Sequence, residues 1–151
     1  MPSAHSEPRL FLLGRMRAIE RAVHRQILAV LVASGYPDMR IPHITFLAHM
    51  TTEGRRLTEF AELMQVTKSA ASQVASALEA QGLVERVPDP TDGRAALIRA
   101  TAAADLGFRL ARSRIAEIER EWSLMLGEPA MSELVSALQQ LETWAERSGQ
   151  R

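Results

Sequence analysis

Residues 57–101 read LTEFAELMQVTKSAASQVASALEAQGLVERVPDPTDGRAALIRAT and combine two helical patterns with a strand–turn–strand pattern. In the first part, Leu57, Phe60 and Met64 repeat at spacings of three and four, as the buried face of a helix does. Thr67 is suited to cap a second helix, because its side chain can accept a backbone N–H of the first turn. The stretch therefore predicts two helices that are separated by a short connector.

The second helix is predicted over about residues 67–81, and Gly82 fits its end because glycine adopts the left-handed conformation without steric cost. Residues 83–100 then alternate loosely between apolar and polar side chains, as strands do. The dipeptide at 92–93, Asp-Gly, divides them and favours a tight turn, since both residues tolerate a positive φ. Two helices and a β-hairpin in this order make a winged helix-turn-helix, in which residues 83–100 are the wing.

The start of the second helix carries small and hydrogen-bonding side chains, as a helix that enters the DNA major groove requires. Gln73 is suited to a bidentate contact with adenine, and Ala70 to a thymine methyl group. Arg94 follows the predicted turn, from which a guanidinium held by Asp89 or Asp92 can reach a minor groove. The predicted DNA-contacting residues are Thr67 and Lys68 at phosphates, Ser69, Ala70, Ser72 and Gln73 at bases, and Asp92 and Arg94 in the wing.

Three segments resemble the MarR family of transcriptional regulators: LEAQGLVER at 78–86, DPTDGR at 89–94 and ATAAA at 100–104. The family pattern at these places is Leu-Glu-x-x-Gly-Leu-Val-x-Arg, Asp-x-Arg-Asp-x-Arg and Leu-Thr-x-x-Gly. Thr91 stands in place of the first wing arginine, which predicts the loss of a phosphate or salt-bridge contact, and Ala104 replaces the glycine. The resemblance implies a mainly α-helical chain with a small β-hairpin wing, which dimerises through its first and last helices.

The chain outside the winged part is predicted to be helical. A disordered tail is expected at residues 1–8, followed by a single MarR-like domain over residues 9–151. A short helix is expected to begin at Pro42, since proline favours the first helical position, with Ile44, Leu47, Ala48 and Thr51 on its buried side. A long helix is expected to begin at Thr101 as its cap, and a break at 127–129 separates it from the last helix.

Helices at both ends of the chain carry apolar seams with spacings of three and four, which are typical of helices that pack together. The first runs through Leu12, Met16, Ile19, Val23, Ile27 and Val30, the second through Phe108, Ala111, Ile115, Ile118, Trp122 and Met125, and the third through Met131, Leu134, Leu138, Leu141 and Ala145. We therefore expect residues 9–35 and 101–148 to form a homodimer beside the winged helix-turn-helix of residues 42–100. The alternative is a helical hairpin that covers the chain's own core.

Composition limits the functions open to this chain. Its 18 Lys and Arg balance 18 Asp and Glu, and residues 51–100 hold six basic against seven acidic side chains. DNA binding would therefore rest on a few placed cations, with a modest salt dependence. The absence of cysteine excludes thiol-based redox sensing. No apolar run approaches the roughly 20 residues that cross a membrane, and no secretion signal is seen, so a cytoplasmic location without a membrane partner is expected.

No catalytic motif, cofactor site or metal site is predicted, so the chain is not expected to be an enzyme. His43 and His49, for example, would lie about 240° apart around a helix and cannot chelate one metal. In the resembled family, small aromatic acids and other amphipathic molecules bind between the dimerisation helices and the winged domain. By position in that fold, His24, Tyr36 and His43 are candidates to line an effector pocket. The alternative is that they are boundary residues whose polar tips reach water.

Two functions follow from these patterns. The first is a homodimeric, sequence-specific DNA-binding transcriptional regulator, a repressor released by a small molecule, whose half-sites lie about 10 bp apart on a pseudo-palindromic operator. The alternative is a winged-helix protein-interaction module without DNA binding. The neutral winged segment and the threonine at position 91 leave this second function open.

Overall fold

The computed structural model of the chain describes residues 12–148. The chain divides into two compact units, one ending at Arg114 and one beginning at Ile115. The predicted tail at 1–8 and the expected helix start at Arg9 lie outside the described residues. No helix among residues 12–148 is long and apolar enough to cross a membrane. The elements are α1 (Leu12–Ala33), α2 (Ile41–Ala48), β1 (Arg55–Arg56), α3 (Leu57–Leu63), α4 (Lys68–Ala80), β2 (Val84–Asp89), β3 (Asp92–Ala100), α5 (Asp105–Leu126) and α6 (Glu128–Ser148), which confirms the predicted fold class.

The core of the first unit is built around one aromatic pair. The rings of Phe46 in α2 and Phe60 in α3 stack with their centroids 3.9 Å apart, and both side chains are fully buried. Leu78 of α4 and Ile98 of β3 belong to the same buried cluster. Burying each such side chain contributes about 1.5–3 kcal/mol, so the cluster joins three helices and the sheet of this unit.

Helices α3 and α4 form as the sequence predicts. The buried residues of α3 are Phe60 and Ala61. The Thr67 side-chain oxygen accepts a hydrogen bond from the Ala70 backbone N at 3.1 Å, which confirms the predicted cap of α4. At the other end, Gly82 has φ +71, and the Leu83 backbone N donates to the Leu78 carbonyl, which closes the helix as expected.

The buried face of α2 differs from the predicted one. The sequence pattern placed Ile44, Leu47 and Ala48 inside, but Ala48 is exposed and the fully buried side chain is Phe46. The helix is only eight residues long and contacts both α1 and α4. Because two neighbours cover it, more than one face is buried, and a single apolar stripe does not describe it.

The sheet contains a strand, β1, that the sequence did not predict. Arg55 pairs with Ile98 and Arg56 with Leu97, which gives a three-stranded antiparallel sheet in the order β1-β3-β2. Gly54 enters this strand with φ +89, and a Cβ added there would lie 2.8 Å from the Ile98 carbonyl oxygen. Glycine is therefore required at this position. A strand of two residues has no periodicity, which is why the sequence did not reveal it.

The predicted cap at Thr101 is wrong. Its hydroxyl donates instead to the Gly82 carbonyl oxygen at 2.6 Å, and its backbone N donates to the Leu83 carbonyl oxygen at 3.0 Å. A short 3-10 turn, Ala102–Ala104, then precedes the start of α5 at Asp105. Thr101 thus satisfies two carbonyl groups just beyond the end of α4.

The second unit contains the last part of α5 and all of α6. Gly127 separates the two helices with φ +80, and α6 begins at the next residue, which confirms the predicted break. Helix α6 contributes no buried residue. Its apolar seam is 38% exposed at Leu134 and Leu138 and 46% exposed at Leu141. Among residues 115–148 of this unit, none covers the apolar side of α6.

Candidate nucleic-acid interface

Helix α4 has one buried face and one exposed face. Ala71, Ala75 and Leu78 are buried at spacings of four and three. Ser69 and Gln73 are exposed on the other side of the helix. The buried face anchors α4 in the core, so the small and polar face is presented to solvent on a rigid element. That is the surface a helix needs in order to enter a DNA major groove.

The predicted DNA-contacting residues of α4 are not equally accessible. Lys68, Ser69 and Gln73 are exposed, whereas Ala70 and Ser72 are half-buried. Thr67 is exposed, and its oxygen already accepts the capping hydrogen bond from Ala70. Its hydroxyl proton is still available to a phosphate oxygen, because a hydroxyl can accept and donate at the same time.

The tip of the wing differs from the predicted one. Asp89 pairs with Asp92 across the hairpin, so residues 90–91, Pro-Thr, form the turn and Asp92 begins β3. The expected turn at 92–93 is wrong, because the Asp89 side chain organises the turn two residues earlier. One of its carboxylate oxygens accepts hydrogen bonds from the Thr91 backbone N at 2.8 Å and from the Thr91 hydroxyl at 2.7 Å. Proline also presets the φ that a turn needs.

Asp92 holds Arg94 through the backbone. An Asp92 carboxylate oxygen accepts a hydrogen bond from the Arg94 backbone N at 3.1 Å. Within residues 12–148, the Arg94 guanidinium has no hydrogen-bond or ion-pair partner, so the expected pairing of this side chain with a wing carboxylate is not seen. Asp92 thus fixes the backbone of Arg94, while the guanidinium of Arg94 stays exposed.

The guanidinium that pairs with the wing belongs to Arg56, which the sequence reading missed. Its Nε and Nη2 atoms lie 2.6 and 2.5 Å from one carboxylate oxygen of Asp89. Asp89 is only 6% exposed. The hydrogen bonds from Thr91, followed by the Arg56 guanidinium, lower the pKa of Asp89 to about 2, so its carboxylate stays charged. The signal in the sequence was the Asp89 carboxylate in a wing that lacks the family's first arginine, since such a carboxylate can draw its cation from elsewhere in the chain.

Thr91 makes contacts of its own at the tip of the wing. The loss of the contact that an arginine would make at this position stays a prediction, and the Thr91 hydroxyl and backbone N both donate to Asp89. Its hydroxyl oxygen also lies 3.5 Å from Arg56 Nη2. Thr91 therefore takes part in the network that holds the tip of the wing.

The charged groups of the winged segment are largely paired with one another. Arg86 lies 3.2 Å from Glu79, Arg99 lies 2.7 Å from Glu85, and Arg56 pairs with Asp89 as described. Arg55 donates to the His49 carbonyl oxygen at 2.8 Å. Among the basic residues that the structure describes between positions 51 and 100, this leaves two charged groups without a hydrogen-bond or ion-pair partner, those of Lys68 and Arg94. Both are predicted DNA-contacting residues.

The three candidate effector residues have separate surroundings. His24 is half-buried in α1. The Tyr36 hydroxyl donates to the Ala103 carbonyl oxygen at 3.2 Å, and a Cβ added at Gly107 would lie 3.4 Å from the Tyr36 Cζ atom. His43 is 9% exposed, and its Nδ1 accepts a hydrogen bond from the Arg40 backbone N at the start of α2. Burial, and secondly the charge of Arg40, lower the pKa of His43, so the neutral ring is favoured. Its hydrogen bond identifies a structural role for His43.

Residues 34–95 match the MarR family, which confirms the resemblance seen in the sequence. CouR from Rhodococcus jostii RHA1, bound to p-coumaroyl-CoA, is a similar structure with 26% identity, a TM-score of 0.63 and coverage of 90% of this chain and 92% of that one. The transcriptional regulator Tm0710 from Thermotoga maritima has 24% identity, a TM-score of 0.61 and coverage of 90% and 94%. Wild-type MarR from E. coli in its apo form has 18% identity, a TM-score of 0.68 and coverage of 86% and 95%. Among curated proteins, none matches the chain.

The matched segment contains most of the winged helix-turn-helix, from the end of α1 to the start of β3. The similar structures cover 86% and 90% of this chain. The protein therefore carries the winged-helix fold of MarR-family transcriptional regulators.

Proposed function

We propose that this protein is a sequence-specific DNA-binding transcriptional regulator, in which α4 lies in the major groove and Arg94 enters the adjacent minor groove. One observation carries the proposal. In a winged segment with six basic and seven acidic side chains, the two basic groups without a partner in the described residues stand at the start of α4 and beside the wing tip. Pairing of the other bases with acids and carbonyl groups leaves two cations for phosphate and groove contacts. This explains how a neutral segment binds DNA.

The proposed active form is a homodimer that reads two half-sites about 10 bp apart. The support is the exposed apolar surface on the terminal helices. Leu12 and Ile19 on α1 are 50% and 51% exposed, and Leu141 on α6 is 46% exposed. Apolar side chains repeated along one helix face are stable in water when a partner covers them. A second copy of the chain carries matching faces and is therefore the proposed partner.

We further propose that a small molecule releases the protein from DNA, so that it acts as a cytoplasmic repressor. The support is its likeness to CouR, which was solved with p-coumaroyl-CoA. His24 and Tyr36 remain the proposed ligand contacts, since both are half-buried and carry polar tips. His43 is a weaker proposed contact, because its Nδ1 is already used within α2.

Selection of duplexes from a random DNA pool, followed by binding titrations at several salt concentrations, tests the DNA-binding proposal. The DNA upstream of the protein's own coding region is included as a natural candidate. We expect one preferred pseudo-palindromic sequence and a modest salt dependence. Lys68→Ala is expected to reduce the slope of log affinity against log salt by about 1 per subunit. The matched control is Arg99→Gln, which removes a basic group that is already paired with Glu85.

A pool that yields no preferred duplex would instead support the alternative, a winged-helix module that binds protein. The effector proposal has its own test, in which the preferred duplex is titrated with the protein in the presence of p-coumaroyl-CoA or of small aromatic acids. Release of DNA by one of these compounds, and loss of that release in Tyr36→Phe, is the expected result. Unchanged DNA affinity with every compound would exclude p-coumaroyl-CoA and small aromatic acids as effectors of this protein.

A further inference from the structure

We propose that Arg56 is a positioning residue of the wing, which sets the tip so that Arg94 is presented to the minor groove. This inference rests on the proposed DNA-binding function. Its basis is the pairing of Arg56 with two wing carboxylates: Nη2 lies 2.5 Å from Asp89 and 3.8 Å from Asp92. Direct binding of Arg56 to a DNA phosphate is the competing role, and the two roles predict different measurements.

The pairing spans the sheet. Arg56 belongs to β1 at one edge and is opposite Leu97 of the central strand β3, while Val87 of β2 is opposite Leu97 on the other side. Asp89 follows two residues later, at the end of β2. The guanidinium of Arg56 therefore links one outer strand to the end of the other across β3. Such a link restrains the wing relative to the rest of the sheet.

The wing tip depends on side chains for its conformation. The pairing of β2 with β3 is regular up to Pro88 and Ala96, and then shifts so that Asp89 is opposite Asp92. Beyond this shift, the described contacts are those of the two carboxylates: Asp89 with Thr91, and Asp92 with the Arg94 backbone N. Arg56 lies against both carboxylates and therefore restrains both sides of the turn.

Removal of Arg56 would leave the Asp89 carboxylate without its cation. The Asp89 side chain is 4% exposed, whereas that of Arg56 is 39% exposed. A buried carboxylate that loses its partner is destabilised unless it moves into water, so the tip is expected to open. Arg94 would then sample more positions before docking, and the loss of that freedom on binding would weaken the complex. In the intact protein, the bonds to Asp89 occupy the Arg56 guanidinium and direct it away from a role as a free phosphate contact.

The first experiment measures amide hydrogen exchange at Thr91 and Arg94 in the free protein. Arg56→Gln is expected to raise exchange at both amides about tenfold, and Arg56→Lys to give a smaller rise, because it keeps the charge and loses the two-nitrogen contact. The control Arg99→Gln removes a comparable ion pair elsewhere in the sheet and is expected to leave these amides unchanged. Unchanged exchange in Arg56→Gln would overturn the inference, even if the protein binds DNA.

The second experiment is a double-mutant cycle with Arg94→Ala on the selected duplex, with thermal melts alongside. If Arg56 acts through Arg94, Arg56→Gln weakens DNA binding about tenfold in the wild type but little when Arg94 is already absent. The salt slope then stays unchanged. Additive losses with a reduced salt slope would identify Arg56 as a phosphate contact and overturn the positioning role.

Failure of the proposed function is distinguishable from failure of this inference. A wild-type protein that selects no duplex removes DNA binding and with it the docking role of Arg56, whatever the exchange result. If Arg56→Gln does not fold, Arg56→Lys and Thr91→Val decide the outcome. The valine removes the hydroxyl contact to Asp89 and leaves the Arg56 guanidinium in place. Faster exchange at Arg94 in both variants supports the inference, and wild-type exchange in both overturns it.

Discussion

The winged segment buries large apolar side chains, whereas helix α6 exposes them. In the winged segment, Phe60 and Leu78 are 0% exposed, and the exposed side of α4 is small and polar. In α6, Leu138 is 38% exposed and Trp144 is 67% exposed, and no residue of the helix is buried. The first region completes its core within one chain. The second has an apolar seam of the kind that a partner covers.

This difference separates two kinds of exposed surface. A polar face on a well-anchored helix suits nucleic acid, which offers hydrogen-bonding edges and charges. An apolar face on an otherwise uncovered helix suits protein, because its burial removes apolar area from water. The following experiments test whether each surface has the partner that its chemistry indicates.

The largest expected effect comes from a matched pair of leucine substitutions. Leu78→Ala creates a cavity in the core and is expected to lower the free energy of unfolding by about 2–5 kcal/mol at any protein concentration. Leu138→Ala is expected to weaken self-association by about 1–3 kcal/mol, so its effect on unfolding depends on protein concentration. Urea titrations at two protein concentrations measure the free energy of unfolding, and sedimentation equilibrium measures self-association. A wild-type monomer at micromolar concentration would contradict the proposed dimer and its two half-sites.

The next effect tests the polar face of α4. Gln73→Ala is expected to weaken binding to the selected duplex by about 1–3 kcal/mol and to relax base preference at one position per half-site. The control Gln81→Ala changes the same residue type just after the end of α4, where the side-chain amide donates to the Ala77 carbonyl oxygen. An equal loss on all duplexes would place Gln73 on phosphate.

A smaller effect is expected in the wing. Arg94→Ala should weaken DNA binding about tenfold, or about 1.4 kcal/mol, because the exposed guanidinium has no nearby basic substitute at position 91. Its backbone is already fixed by Asp92, so little freedom is lost on docking. Binding titrations at one fixed salt concentration, with thermal melts for folding, provide the measurement. Equal affinity with an unchanged melting temperature would exclude the minor-groove role.

The smallest expected effect is the pH dependence of stability that comes from His43, which is buried in the winged segment. Because the pKa of His43 is lowered in the fold, its neutral form stabilises the protein above the ordinary value of 6.5, and this stabilisation is lost as pH falls below it. The free energy of unfolding should therefore decrease between pH of about 7.5 and about 5.5. His43→Gln should flatten that decrease, while His49→Gln serves as the matched control. Identical pH slopes in wild type and His43→Gln would contradict the assignment.

The helix-turn-helix was predictable because its signals act between near neighbours. The Thr67 cap joins residues three apart, and Gly82 ends α4 through its own backbone conformation. The spacing of Leu57, Phe60 and Met64 likewise reports one face of one helix. Such features depend on propensities and hydrogen bonds within a single turn, so they can be read before any tertiary contact is known.

The wing tip, β1 and the buried side of α2 were set by contacts between distant parts of the chain. Arg56 and Asp89 are 33 residues apart, and their pairing needs β1 and β2 to lie on either side of β3. Phe46 is buried because its ring stacks on Phe60 of α3, and α2 also packs against α1 and α4. The residue pattern specified the helices and the two longer strands, since those preferences are local. Tertiary packing selected the partner of each buried charge and the faces that are covered, because a buried group is stable only beside the group that the fold brings to it.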